Sequence, residues 1–158
     1  MGFDLSGYKI RTAVAADVLD LRAALLLRGR DNHPPVAGDE DPTAFHVAVY
    51  REDEQVGVGS IHPEAMPEGP TTNAWRLHSV AVAHGHRGFG VGALIVERCL
   101  EHSASHDARA VWCLAPAGAF GFFDRFGFQR TGDPIENDDG PQYKLFAKAR
   151  PVKRSWAI

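Results

Sequence analysis

Between Ser79 and Cys99 the chain reads SVAVAHGHRGFGVGALIVERC, and within it Arg87-Gly88-Phe89-Gly90-Val91-Gly92 sets three glycines at alternate positions directly ahead of an amphipathic run. Glycine brings no reactive group. It brings uncovered backbone N–H groups at the start of a helix, where the first four amides lack an intrahelical partner and the helix dipole adds partial positive charge. The chemistry favoured by this spacing is the binding of an anion. A nucleoside-triphosphate loop would need Lys and Ser or Thr after its last glycine, but Gly92 is followed by Ala93-Leu94. A dinucleotide fingerprint would need G-x-G-x-x-G early in a βαβ unit, and here G-x-G-x-G follows a hairpin.

Groups able to move a proton lie close by. His78 is on the segment that runs into the turn, and an imidazole suits proton transfer near neutral pH. The same residue also fits a hydrogen-bonded structural role. His46 and His62, on the preceding hairpin, are weaker candidates for a base. His84 and His86 resemble a metal pair only superficially, because they adjoin Arg87 in the turn with no evident third ligand, and no metal is expected. Tyr143 begins the last strand and offers either a phenol or simple packing.

The elements that must position these groups follow from periodicity. Tyr8 to Ala13 alternates as a strand, and Asp17 to Leu27 brings Val18, Leu21 and Leu25 onto one helical face, with Gly29 where a helix would stop. Arg30 to Thr43, with paired prolines, a glycine and several acids, has no period and is expected to be a loop. Phe45 to Arg51 and Gln55 to His62 alternate around Glu52-Asp53-Glu54, as an antiparallel hairpin does. PEAMPEGPTTN is a second loop, and Trp75 to Val82 is the strand before the glycine turn. Val91, Leu94, Ile95 and Cys99 then recur at helical spacing, predicting a helix that ends near Ser103. Ala110 to Ala115 reads as a strand covered on both faces. A helix follows over AGAFGFFDRF, from Pro116 to a stop at Gly127. Phe128 to Thr131 and Tyr143 to Lys148 complete the strands across an acidic turn, Glu136 to Gly140.

Length and composition narrow the class. A chain of 158 residues, 44% hydrophobic, holds one domain with a real core, expected over residues 1–150, and a short basic tail over 151–158. A formal net charge of -3 supplies no field for nucleic acid, and no apolar run reaches the length of a membrane span. The first ten residues lack the pattern of a secretion signal, so a cytoplasmic location is expected. Cys99 and Cys113 sit in apolar periodic segments without metal or redox spacing and are expected to be reduced core residues.

Arg87-Gly88-Phe89-Gly90-Val91-Gly92, reading R-x-x-G-x-G between a strand and a helix, together with FFDRFGF after the next strand, resembles the GNAT superfamily of N-acetyltransferases. The order of elements agrees over nearly the whole chain. The resemblance implies an α+β fold with a mixed, mostly antiparallel central sheet flanked by helices in a single domain. It implies acetyl-CoA as co-substrate, its pyrophosphate held by Arg87, Gly88, Phe89, Gly90, Val91, Gly92 and Ala93. In the family the strand before the turn splays from its neighbour and pairs with the pantetheine arm, a role that falls to Val80, Ala81 and Val82.

The implied activity is transfer of the acetyl group from acetyl-CoA directly to a primary amine of a small molecule or peptide. The family often protonates the departing thiolate from a tyrosine in N-x-x-A-x-x-x-Y. Here Pro116 replaces the asparagine and Phe123 the tyrosine. Phe123 is therefore expected to line the thioester channel, with His78 as base and Tyr143 or water as acid. Asp39, Glu40 and Asp41 border the acceptor side and either attract a cationic amine or form a solvated loop. The rival reading, favoured slightly by Phe123 and Pro116, is a catalytically idle domain that binds acyl-CoA for regulation or assembly. Many relatives dimerise, and a homodimer is an open expectation.

Overall fold

The computed structural model describes residues 5–26, 36–69, 71–137 and 140–149. Among these residues eight strands and three α-helices follow one another as β1 (Tyr8–Ala13), α1 (Ala15–Leu26), β2 (Phe45–Arg51), β3 (Glu54–Pro63), β4 (Ala74–Val82), α2 (Val91–Ser105), β5 (Ala110–Ala115), α3 (Phe120–Asp124), β6 (Gln129–Arg130), β7 (Ile135–Asn137) and β8 (Gly140–Lys148). The sheet runs β1-β2-β3-β4-β5-β8-β6, with β7 paired to β8. Every pairing is antiparallel except β4 with β5. This is the expected mixed, mostly antiparallel α+β sheet with flanking helices.

Alternation along the strands sends two different surfaces to the two helical layers. Trp75 and Leu77 of β4 and Ile61 of β3 join Val91, Ile95, Val96 and Cys99 of α2 in the main core. Gly57 and Gly59 face the same way, and Ile95 stands where a Cβ on Gly59 would be. Val58, of opposite parity to Ile61, packs against Val18 of α1, and so does Ala81 of β4. Arg22, four residues beyond Val18, is buried on this face as well, and it is the charged member of an otherwise apolar stripe.

Two irregularities shape the functional region. Ser60 pairs with His78 and Val58 with Ala81, so Gly59 alone faces Ser79 and Val80, a β-bulge with Ser79 at φ 56°. The bulge keeps Val80 and Val82 with the α2 core and Ala81 with α1. The second irregularity is a split. β4 pairs β5 only over Ala74–Arg76 with Ala110–Trp112, while β5 continues with β8 to Ala115. Beyond Arg76 the two parallel strands part, and among the described residues Val80 to Val82 have no strand partner on that side.

Several boundaries differ from the sequence expectation. α1 begins at Ala15, where the Val14 amide donates to Asp17 Oδ2; Leu27 and Gly29 lie outside the described residues. The helix expected from Pro116 is a 3₁₀ turn over Ala117–Ala119 and only five α-helical residues, consistent with the helix-weakening Gly118 and Gly121. Gly127 terminates it at φ 84° as expected. The turn expected over Glu136 to Gly140 is instead flanked by strand, with Ile135 opposite Gln142 and Glu136 opposite Pro141; Asp138 and Asp139 lie outside the described residues. So do Arg30 to Pro35 of the first loop and the tail from Arg150. Cys99 and Cys113 are free and buried, and burial raises both thiols, Cys113 to about 12. Among the described residues no helix is long and apolar enough to cross a membrane.

Candidate functional site

The parting of β4 from β5 opens a cleft of about 680 Å³. Val80, Ala81 and Val82 form one wall, and His86 to Gly88, Gly90, Gly92 and Ala93 the end at the α2 N-terminus. Gly118, Ala119, Phe122 and Arg125 close the far side, with Leu25 and Leu26 of α1 at the rim. Gly88 and Gly90 have φ 86° and 93°, in the left-handed region where a side chain is strained. A Cβ on Gly88 would meet nothing within 4 Å, so the surface above it is open to an approaching group. Gly90 caps α2 without a side-chain bond, and the first helical bond it accepts comes from the Leu94 amide at 3.0 Å. The preceding amides of the first turn therefore have no intrahelical acceptor.

Two cations line the cleft, one at each side. Arg87 is exposed, and its Nε donates to the Val82 carbonyl at 2.8 Å, which fixes the guanidinium beside the glycines. Arg125 lies over the Phe122 ring at 5.5 Å. His86 is held by Tyr8, whose hydroxyl is 2.9 Å from its Nδ1. Phe89 is 49% exposed and outside the cleft lining, and Val91 is buried in the α2 core. Neither side chain serves the cleft, although their backbone belongs to the turn.

Phe123 is placed differently from its expected position in the channel. Its ring is in the core, edge-on to Phe122 and Phe128, and the ring that lines the cleft is Phe122. A short 3₁₀ turn precedes α3, which alters the phase of its faces from that of a continuous helix. Tyr143 is also outside the cleft. It packs edge-on against Phe120 at 5.0 Å and lines a second cavity with Arg130, Thr131 and Gly132.

On the α1 face of the sheet, behind the split, lies a buried polar network. Arg22 donates to both oxygens of Asp39, at 2.7 and 3.0 Å, and to Ser60 Oγ at 2.6 Å. The Val36 amide completes the carboxylate at 2.8 Å. His46 Nε2 is 3.0 Å from the Asp39 carbonyl, which can only accept, so His46 donates there and its Nδ1 receives the Ser60 hydroxyl at 2.7 Å. His62 is edge-on to His78 and bonds Glu64 at 2.9 Å, while Arg76 reaches Glu64 at 3.6 Å. Gly38, at φ 99°, lies where a side chain would strike the His62 ring.

Asp39 is therefore a buried ion-paired residue, and its charge is not available to draw an amine from solvent. Burial raises its pKa, but Arg22 and the Val36 amide outweigh that and leave it below the usual carboxylate value. Glu40 is exposed, and Asp41 is lowered by its bonds to Thr43. His78 goes further than any other histidine among the described residues. Burial, then the charges of Arg22 and His62, push its pKa far below the ordinary range, against the opposing pull of Asp39. His78 is neutral at all ordinary pH. Its Nδ1 lies 2.8 Å from Ser79 Oγ and its Nε2 3.7 Å from Asp39 Oδ1.

Arg125 and Arg22 were not singled out from sequence. Each left a signal: Arg125 falls three residues after Phe122 in FFDRF, and Arg22 interrupts an apolar stripe. Ser79 left none, because a bulge cannot be read from alternation alone. Among the described residues no cluster of His, Cys, Asp or Glu is arranged to hold a metal.

Comparison with known proteins agrees with this geometry. Residues 17–128 match the model of the Acetyltransferase (GNAT) family. The N-acetyltransferase YitI of Bacillus subtilis (strain 168), itself uncharacterized, is 23% identical over 130 residues, 81% of this chain and 87% of the relative. Escherichia coli ElaA superposes with a TM-score of 0.72 at 20% identity, covering 89% of this chain and 99% of the other. An aminoglycoside 6'-N-acetyltransferase solved with coenzyme A gives 0.67 at 16% identity, covering 92% and 99%.

Proposed function

The chain belongs to the acetyltransferase (GNAT) family and is an acyltransferase, and we propose that it moves an acetyl group from acetyl-CoA directly to a primary amine of a small molecule or peptide. The observation that carries this reading is the coincidence of two features. The strand edge of Val80–Val82 lies free where β4 leaves β5, and it runs directly to a helix N-terminus without a side-chain cap beside Arg87, with Arg125 across the cleft.

Coenzyme A fits that arrangement group by group. Its pyrophosphate suits the amides of Gly88 to Ala93, since missing side chains let oxygens approach and the dipole favours their charge. Arg87 and Arg125 supply further positive charge. The amides of the pantetheine arm suit the unpaired backbone of Val80, Ala81 and Val82, and the thioester it carries supplies the activated acyl group. Phe122 and the rim leucines give that path an apolar lining.

The acceptor must reach the thioester from the α1 side, where the sheet presents His78, Ser79 and Arg76. Direct attack requires a neutral amine and somewhere for its proton to go. His78 lies on β4 two residues before Val80, and burial with the neighbouring positive charges keeps its ring neutral, so it can accept a hydrogen bond more readily than a proton.

The idle-domain alternative draws on Phe123, a phenylalanine at the position of the family's tyrosine. A thiol has a reference pKa of about 8.5, so the thiolate is a tolerable leaving group, and general acid catalysis contributes roughly 10²–10⁴-fold. Loss of the phenol thus slows turnover without abolishing it. Thiol release from acetyl-CoA, followed with a panel of primary amines, tests the reading. Amine-dependent release is expected; calorimetric binding of coenzyme A with no release for any amine would favour the idle domain.

A further inference from the structure

The bulge that parts β4 from β5 carries a hydroxyl with unusual surroundings. Neighbouring side chains on a regular strand point to opposite faces, so His78 and Ser79 should not meet. The left-handed conformation of Ser79 turns it onto the His78 face, and its Oγ comes within 2.8 Å of His78 Nδ1. A non-glycine residue persists at positive φ only where its surroundings hold it, and such strain clusters at functional sites.

The other ring nitrogen decides which partner donates. His78 Nε2 is buried and makes no hydrogen bond, and Asp39 Oδ1 lies 3.7 Å away. A lone pair facing a carboxylate in a site shielded from water would be repelled, whereas an N–H is attracted. The neutral ring thus carries its hydrogen on Nε2, and Nδ1 accepts from the Ser79 hydroxyl. Ser60 and His46 repeat this pairing nearby, but Ser60 is fully buried and its oxygen also accepts from Arg22. Ser79 is only half-buried, and among the described residues His78 is its sole side-chain partner. Its oxygen keeps free lone pairs.

We propose that Ser79 carries the proton from the attacking amine to the departing sulfur, and that His78 is a positioning residue that holds the hydroxyl for this transfer. The inference rests on the transferase reading above and narrows the part of His78 within it. As the N–C bond forms and the C–S bond breaks, the Ser79 hydrogen turns from His78 Nδ1 to the departing sulfur while Ser79 Oγ takes the proton of the nitrogen on a free lone pair, and the renewed hydroxyl then donates to His78 again. Amine and thioester become amide and thiol, and Ser79 and His78 end as they began. The groups around the ring explain why it orients and does not store the proton. Arg22 from α1, His62 from β3 and Arg76 from β4 all disfavour a second proton, and Asp39, held by Arg22, only partly offsets them. Glu64 is engaged by His62 and Arg76. The serine also supplies the proton donor that Phe123 lacks.

The test compares Ser79→Ala, Ser79→Gly and His78→Gln with the parent protein, using acetyl-CoA and ethylenediamine, spermidine or a lysine peptide, whichever supports thiol release. Both serine variants should lose about 10²-fold or more in kcat while coenzyme A affinity by calorimetry stays within twofold. Ser79→Gly guards against a folding failure, since glycine accepts positive φ. His78→Gln, whose amide oxygen can still accept from Ser79, should lose less than either. The rate in mixed H₂O and D₂O should curve with deuterium fraction in the parent, as two protons move together, and lose that curvature in the serine variants. Independently of turnover, ¹⁵N NMR of the unliganded protein should show His78 as the Nε2–H tautomer, with Nδ1 shifting in Ser79→Ala. An Nδ1–H tautomer, or serine variants with parental kcat and curvature, would overturn the proposal. Failure of the transferase reading is distinct: the parent itself would release no thiol with any amine, and the proposal would fall with it even if the tautomer were as expected.

Discussion

The two sides of the split strand β4 are built on opposite principles. On the cleft side the functional surface is made by what is missing: side chains at Gly88 and Gly90, a strand partner for Val80–Val82 and a cap for α2. On the α1 side it is made by what is present, a buried set of polar side chains in which Arg22, Asp39, Ser60 and His46 bond to one another, with Arg22 Nε left unpartnered. A backbone site tolerates substitution of its neighbours and fails when a side chain enters. A side-chain network fails when any member leaves, so the two sides should respond oppositely to mutation.

The largest effect is expected from the network. Arg22→Leu leaves the Asp39 carboxylate buried without its partner, and breaking a buried pair in this way costs about 3–5 kcal/mol. Denaturant unfolding should show that loss, and Arg22→Leu combined with Asp39→Asn should recover part of it. If the single variant were as stable as the parent, Asp39 would have to be reached by water.

On the cleft side, Gly90→Asp places a Cβ and a carboxylate at a left-handed position where an anion is to be bound. Coenzyme A affinity should fall by at least about tenfold, equivalent to roughly 1.4 kcal/mol, while the melting temperature changes little. Parental affinity by calorimetry would detach the anion site from this turn.

How much of each side was legible follows from the same contrast. Glycine spacing is written in the sequence, so the turn from Arg87 to Gly92 and the flanking strand and helix are readable from it alone. Asp39 was readable only as one acid in a run of three, because its partner Arg22 comes from another element and only folding joins them. Ser79 was hidden for a further reason: alternation assigns it to the face opposite His78, and only a bulge set by Gly59 reverses that. The five-residue α3 moved Phe122 into the place anticipated for Phe123, since a 3₁₀ turn at Ala117–Ala119 changes the phase of everything after it.

His78 sharpens the comparison through pH. Its pKa is depressed in the folded protein and near 6.5 when unfolded, so the unfolded chain binds a proton that the folded one refuses. The stabilisation is complete above about pH 6.5 and is lost as pH falls below it, at up to about 1.4 kcal/mol per pH unit for one proton. His78→Gln should flatten that part of the stability profile. No acidic limb of kcat/KM between pH 5 and 8 should trace to His78, and one that vanished in His78→Gln would show that the ring titrates in the ordinary range.

The smallest effect concerns the aromatic pair at the far wall of the cleft. If the position of the family's tyrosine were what limits turnover, Phe123→Tyr would restore activity. Phe123 is 8% exposed between Phe122 and Phe128, so a phenol there would enter an apolar core, and a buried hydroxyl without a partner is destabilising. Phe123→Tyr should therefore lower the melting temperature and leave kcat unimproved. Phe122→Tyr instead places a phenol toward the cleft lined by Val80–Val82, where a hydroxyl can be hydrated and can deliver a proton. Its stability should stay near that of the parent, and kcat should rise by a few-fold at most, because a second donor adds little where the bulge already supplies one. A gain at Phe123 with none at Phe122 would mean that α3 rotates on binding acetyl-CoA, and the face it presents in the unliganded protein would not be the one that meets the thioester.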